Sequence, residues 1–218
     1  MNGKRYFDTV ANHWDAMQEG FFSKYIREKA FDIAHLEKGK LAADIGAGTG
    51  YITEGLIERG LRMIAIDQSE TMLDVLKTKL PFPHRIDCRV GEAENLPVED
   101  NLVDFVFANM YLHHVEDPFM AIKEMVRILK PGGNLVITDM DEHDFSFLMI
   151  EHRDRRMGFK REDIERWLKE AGLEEVKLDC VGENCCAKSD DGSLSASISV
   201  FVAFGKKSHG AMKKDMRP

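Results

Sequence analysis

Residues Leu41 to Tyr51, reading Leu-Ala-Ala-Asp-Ile-Gly-Ala-Gly-Thr-Gly-Tyr, constrain this chain more than any other stretch. A short apolar run ends in Asp44-Ile45 and meets a cluster of glycines, the pattern of a buried strand that turns sharply into a helix. Gly46, Gly48 and Gly50 leave the backbone bare, with Ala47 and Thr49 between them. The helix that follows aims its free N–H groups and positive dipole end at the same place. A nucleotide-like ligand is therefore expected over Gly46 to Gly50.

The spacing selects among such ligands. A dinucleotide fingerprint places its third glycine three residues after the second, but here that position is Tyr51 and the third glycine comes early, at Gly50. Asp44 at the strand end suits a cationic amine or sulfonium and repels a pyrophosphate. S-adenosylmethionine is expected rather than NAD. With these residues in view the chain resembles the class I S-adenosylmethionine-dependent methyltransferases, including those of ubiquinone and menaquinone biosynthesis, whose first motif is an acidic residue followed by Gly-x-Gly-x-Gly. The resemblance implies an α/β fold, a Rossmann-like seven-stranded, mostly parallel sheet with a C-terminal antiparallel hairpin and helices on both faces. It also implies in-line methyl transfer to a small-molecule acceptor.

Downstream residues extend the argument. Met63 to Asp67 reads as a second buried strand, and Asp67 stands about 20 residues past the first glycine, where a carboxylate accepts from both ribose hydroxyls of an adenosine. Ser69 and Glu70 already supply a helix cap and first turn, which leaves Asp67 free for that task, with Gln68 beside it. Met72 in the first turn of the next helix can pack its thioether on an adenine, although a lone methionine is also ordinary core. After a third strand over Arg85 to Val90, Gly91-Glu92-Ala93-Glu94-Asn95-Leu96-Pro97 resembles the family's Gly-Asp-Ala-x-x-Leu-Pro segment. That likeness implies Glu92 and Ala93 as adenine contacts.

Val103 to Ala108 is apolar on both faces, as a central parallel strand should be, and ends at Asn109-Met110-Tyr111-Leu112-His113-His114. By resemblance Asn109 holds the methionine part of the cofactor and the residues after it face the transferred methyl. His113 and His114 are the candidate general bases, with an ordinary pKa near 6.5. Adjacent residues rarely share a face, so at most one is expected to reach the substrate; the alternative is that both are structural. A helix opens at Asp117-Pro118 and closes at Pro131-Gly132-Gly133, and Leu135 to Asp139 is a fifth strand. The resemblance covers most of the chain to this point.

The flanks are expected as follows. Residues 1–38 form a helical lid segment, two helices parted near Gly20, the second carrying Phe22, Ile26, Ala30, Ile33 and Ala34; Tyr6, Phe7, His13 and Trp14 are candidate lid residues. The methyltransferase-like domain spans 39–206. Within it, 141–158 is a candidate substrate lid with a solvated polar face. No metal is expected there, because the Asp-Asn pair of the magnesium-dependent catechol-type enzymes is missing. Leu173 to Val181 and Ser197 to Phe204 read as the hairpin, joined by a long loop Gly182 to Ala196 that contains Cys185-Cys186 and on its length suggests function. Residues 207–218 read as a flexible tail.

Composition excludes some classes. A net charge of -8 over 218 residues disfavours a nucleic-acid substrate, and no apolar run reaches the roughly 18 residues of a membrane span. Met1 to Phe7 lacks a signal peptide's apolar centre, which with four scattered cysteines gives the expectation of a cytoplasmic monomer or homodimer with reduced thiols. Two further readings stay open: a metalloid or thiol methyltransferase using Cys180, Cys185 and Cys186, since soft thiolates bind soft ions, and a non-catalytic subunit that binds S-adenosylmethionine. An NAD-dependent oxidoreductase is opposed by Tyr51.

Overall fold

The computed structural model describes residues 3–18, 24–189 and 191–209. Gly20, Phe22 and residues 210–218 of the expected tail lie outside the described residues. The chain opens with α1 (Gly3–Val10), a short turn, α2 (Trp14–Gln18) and α3 (Lys24–Ala34). Then β1 (Leu41–Ile45), α4 (Tyr51–Glu58), β2 (Arg62–Asp67), α5 (Glu70–Lys79) and β3 (Ile86–Val90) wind in one direction. β4 (Val103–Asn109), α6 (Pro118–Ile128) and β5 (Leu129–Met140) wind in the other, followed by α7 (Phe147–Glu151), α8 (Arg161–Glu170), β6 (Leu173–Lys188) and β7 (Ser195–Lys207).

The strands form one seven-stranded sheet of order β3-β2-β1-β4-β5-β7-β6. β1 to β5 pair in parallel, whereas β7 is antiparallel to both β5 and β6. This is the expected architecture. Its functional consequence lies between β1 and β4: they are neighbours, but the chain leaves their carboxyl ends toward opposite edges. That divergence opens a crevice, the place where α/β sheets bind ligands.

Alternation along the strands decides which side of the sheet each helix covers. Phe105 and Phe107 of β4 pack with Phe31 of α3, Leu56 of α4 and Leu76 of α5. Val106 and Ala108 face the other way, toward Ile122 and Met125 of α6 and Ile164 and Leu168 of α8. The caps are those the sequence announces: the Ser69 hydroxyl accepts from the Met72 N–H, and the Asp117 carboxylate, followed by Pro118, accepts from the Met120 N–H.

Three details differ from the sequence reading. The long loop over Gly182 to Ala196 is mostly strand: β6 reaches Lys188 and β7 begins at Ser195, with Cys185 opposite Ile198 and Cys186 opposite Ser197. Its alternation is hidden because the register shifts between Cys180 and Asn184, next to Gly182 at φ +92°. β7 also continues to Lys207, the first residue of the expected tail, whose ammonium donates to the carbonyls of Val126 and Leu129, both at 2.7 Å. Finally, 141–158 is only in part the solvated face expected: Arg153, Arg155 and Arg156 are exposed, while other side chains turn into the body. Arg161 clasps Asp141 with contacts of 2.7 and 2.6 Å, Phe147 and Leu148 point inward, and Asp154 is buried.

Candidate functional site

The glycine turn and the segment after β4 meet at the crevice. The N–H groups of Gly46 and Ala47 both donate to the Ile66 carbonyl, at 2.9 and 3.0 Å, which ties the turn to β2. All three glycines adopt positive φ, +71°, +53° and +95° in order. Their missing side chains serve different ends. A Cβ on Gly46 would lie 2.2 Å from the Tyr111 ring, and one on Gly50 would lie 2.9 Å from Leu76. Those two glycines admit protein side chains, not a ligand. A Cβ on Gly48 would meet only the Trp14 indole nitrogen, at 3.6 Å. The bare backbone that faces the cavity is therefore Gly48.

Two buried carboxylates flank this turn. Asp44 Oδ2 accepts from both the N–H and the hydroxyl of Thr53, at 3.0 and 2.7 Å, which caps the first turn of α4. Burial, with the nearby Asp67 charge adding to it, pushes Asp44 up to about 7. Asp67 accepts from the Gly48 N–H through Oδ2 and from the Ser69 N–H through Oδ1, each at 2.9 Å. Burial raises it to about 6 against those two bonds. A buried anionic pair next to a bare backbone is the donor and charge set that a sulfonium, an ammonium and ribose hydroxyls require. S-adenosylmethionine fits it; a pyrophosphate does not.

A cavity lies over the turn. Asp44, Gly46, Ala47, Gly48, Asp67, Gln68, Met72 and Asn109 all line it, as the sequence anticipates, and so does His114. Thr49 does not: its hydroxyl donates to Asp15 Oδ1 at 2.5 Å and so anchors α2. Glu92 lines a second, more polar cavity, and Tyr111 borders both. Ala93 is buried in the apolar core beside Ile66 and Leu96. The two cavities share Phe7, Gln68, Tyr111 and His114, so Glu92 borders the space next to the cofactor cavity.

The N-terminal helices roof the cavity. Phe7 and Trp14 line it, edge to face at 5.5 Å, while Tyr6 packs behind them and His13 faces solvent. Polar contacts fix this roof: Asp15 with Thr49 and with Lys79 at 2.9 Å, and the Ser69 hydroxyl with Asp8 at 2.6 Å.

Beyond Asn109, whose side-chain oxygen accepts from Thr138 at 2.6 Å, the backbone turns sharply at Met110, with φ +49°. A non-glycine residue held there costs about 1–3 kcal/mol and marks a position the fold over-determines. The turn delivers Leu112–His114 as a 3-10 turn, and both histidines border one cavity, where their adjacency led to the expectation that at most one would reach the substrate. The two rings lie 4.1 Å apart, and Asp154 Oδ1 sits 3.7 Å from His113 Nε2 and from His114 Nδ1. The tight turn and the buried carboxylate between the rings bring both to one wall. His113 Nδ1 bonds Asp139 Oδ1 at 2.7 Å. Burial lowers the His113 pKa, but Asp139 and Asp154 outweigh it and the net direction is upward. His114 is held well below its ordinary value by burial and by its histidine neighbour.

That wall borders a third, mostly apolar cavity, lined also by Met140, Leu148, His152, Cys185 and Ala187. Sequence reasoning missed Tyr111 and Asp154 as site residues, and named Cys185 only as part of a cysteine cluster. For the first two, chain neighbours alone gave a signal. The three-cysteine arrangement does not form: Cys185 is buried at this cavity, while Cys180 and Cys186 are exposed. Alternation along β6 sends Cys186 to the opposite face from Cys185.

Comparison with known proteins agrees with this geometry. The family profile described as "Methyltransferase domain" matches residues 43–137. An uncharacterised methyltransferase of Mycobacterium tuberculosis (strain ATCC 25618 / H37Rv) is 42% identical over 119 residues, covering 55% of this chain and 43% of the relative. The demethylmenaquinone methyltransferase of Thermobifida fusca (strain YX) is 32% identical over 158 residues, 70% of this chain and 65% of the relative. The chain spans less than half the length of the first of these relatives and about two thirds of the second. A phosphoethanolamine N-methyltransferase 2 of Haemonchus contortus, solved with phosphomonomethylethanolamine and S-adenosylhomocysteine, shares the fold at a TM-score of 0.75 and 18% identity, covering 92% of this chain and 58% of that one. The strand order, the glycine turn with its two carboxylates and these matches agree: residues 43–137 carry a methyltransferase domain, in a fold of the class I S-adenosylmethionine-dependent type.

Proposed function

We propose that this protein transfers the methyl group of S-adenosylmethionine to a small-molecule acceptor. The observation that carries the reading is a shared wall. Trp14, Met110 and His114 line both the cavity over the glycine turn and the apolar cavity beside Asp154. A donor in the first and an acceptor in the second would meet across those three side chains.

The cofactor supplies a methyl already activated on a sulfonium, so the protein's work is alignment, which can contribute about 7–11 kcal/mol. Asp67 and Gln68 would hold the ribose end, Met72 the base, and Asp44, Gly48 and Asn109 the amino-acid end. Phe7 and Trp14 would exclude water from above. A protonated acceptor needs a group to take or displace its proton, and the His113–His114–Asp154 wall is the polar part of the acceptor cavity. The remaining lining, Met140, Leu148 and Ala187, suits an apolar body on the acceptor. The enclosure by α1, α2 and 141–158, together with the charge of -8, favours a small molecule over nucleic acid.

Among the described residues no helix is long and apolar enough to cross a membrane. We read the protein as a cytoplasmic monomer or homodimer; all four cysteines are free, as a reducing compartment leaves them. The test is formation of S-adenosylhomocysteine with panels of phenols and quinols, thiols and amines. Turnover with one class, lost in His114→Ala, supports the proposal; no turnover with any small acceptor but methylation of a protein or RNA would overturn it.

A further inference from the structure

The sequence leads to no expected metal in 141–158, where the paired Asp-Asn motif is missing, and Asp154 lies forty residues beyond His114. The fold brings them together. His113, His114 and Asp154 each offer one ligand atom, and all three atoms lie within 4.8 Å of one another. We propose that His113 Nε2, His114 Nδ1 and Asp154 Oδ1 bind one divalent transition-metal ion, Zn²⁺ above all, with an open coordination position toward the apolar cavity.

The distances suit an ion. Ligands at about 2.0–2.2 Å in tetrahedral geometry stand about 3.3 Å apart. Both nitrogens are 3.7 Å from the Asp154 oxygen, too long for a hydrogen bond and about 0.4 Å from the bound spacing. His114 Nδ1 is buried and makes no hydrogen bond. A buried imidazole nitrogen without a donor or acceptor is costly unless something else binds it.

The supporting shell is also present. His113 places Nδ1 on the fully buried Asp139, which leaves Nε2 as the ligating atom and builds the carboxylate–histidine pair that orients metal ligands. Charge gives an independent argument. Asp139 and Asp154 are both buried, and a divalent ion with two neutral imidazoles balances them. Arg155, next to Asp154 in the chain, is half exposed and faces Glu116 at 3.6 Å. Two nitrogens and one carboxylate select zinc or a neighbouring transition ion over magnesium or calcium, which take oxygen ligands. Cys185 lines the same cavity but is not among the clustered donors.

The position of the site rests on the residues alone. Its use rests on the methyl-transfer reading: an open position facing the acceptor cavity selects acceptors that carry a hydroxyl or thiol donor.

Chelator-stripped full-length protein would be titrated with Co²⁺ and with Zn²⁺, following visible d–d absorption and calorimetric heat, without S-adenosylmethionine present. We expect one equivalent bound, with no thiolate charge-transfer band. Asp154→Asn and His114→Gln should each weaken affinity at least tenfold, and Asp139→Asn about 10–100-fold. Cys186→Ser should leave it unchanged. Circular dichroism melts identify any variant that fails to fold, and the other ligand variant then decides. No stoichiometric binding, or binding equally tight in a folded Asp154→Asn or His114→Gln protein, would overturn the proposal. S-adenosylmethionine binding is measured separately on the stripped protein, so failure of the metal site and failure of the cofactor reading give different results.

Discussion

The assignment of Gly48 as the bare backbone under the cofactor can be tested by adding one carbon. Gly48→Ala introduces a Cβ whose nearest protein atom is Trp14 Nε1 at 3.6 Å, so the protein itself has room for it. The cost to folding is the left-handed backbone, φ +53°, at about 1–2 kcal/mol. For a chain of this size that lowers Tm by about 2–4 °C per kcal/mol. Gly39→Ala is the matched control: its φ is +81°, nothing lies within 4 Å of its Cβ, and it is remote from the cavity. The two variants should melt alike. Only Gly48→Ala should lose cofactor affinity, because the new methyl occupies ligand space. Overpacking a close contact costs about 1–3 kcal/mol, which is about 5–150-fold in Kd. Isothermal titration with S-adenosylhomocysteine reads the difference. Equal affinity in both variants would mean that Gly48, like Gly46 and Gly50, only shapes the turn.

Asp67→Ala should weaken cofactor binding by about 1–3 kcal/mol and also lower Tm, since the Gly48 and Ser69 N–H groups lose their acceptor; unchanged affinity would remove Asp67 from the ribose site. The raised carboxylates give a pH test. Asp44 and Asp67 have folded values of about 7 and about 6 against an ordinary 3.8, so the stability they confer on the free protein is complete below pH 3.8 and is lost as pH rises through 6 to 7. A cationic cofactor prefers them ionised, so its affinity should instead rise with pH through that window, by up to about tenfold per unit for each group. Thermal shift with and without cofactor from pH 5 to 8 checks this, and a pH-independent Kd would contradict it. His114→Ala should cut turnover at least tenfold while leaving S-adenosylhomocysteine affinity within about twofold; a parallel loss of both would make the histidine structural.

Much of this was legible in the sequence because it depends on local pattern. Strand, glycine turn and helix follow from Leu41 to Tyr51, Asp67 from its distance to the first glycine, and the caps at Ser69 and Asp117 from neighbouring residues. The division of labour among the glycines was not legible. It depends on Tyr111 and Leu76, which approach from elsewhere in the chain. Asp154 was unreadable for the same reason: a carboxylate in a polar segment looks solvated until the chain returns, through the Arg155 N–H to His113 carbonyl bond, to bury it. Gly182 and the adjacent register shift broke the period of two, so half of β6 resembled a loop. Thr49 sits in the right motif, but its hydroxyl is committed to Asp15.

The most direct test of the account is calorimetric titration of the purified, ligand-free protein with S-adenosylmethionine, S-adenosylhomocysteine and NAD. The glycine turn with its two buried carboxylates predicts one-site, micromolar or tighter binding of the first two and none of NAD. Binding of NAD, or of none of the three, would contradict it.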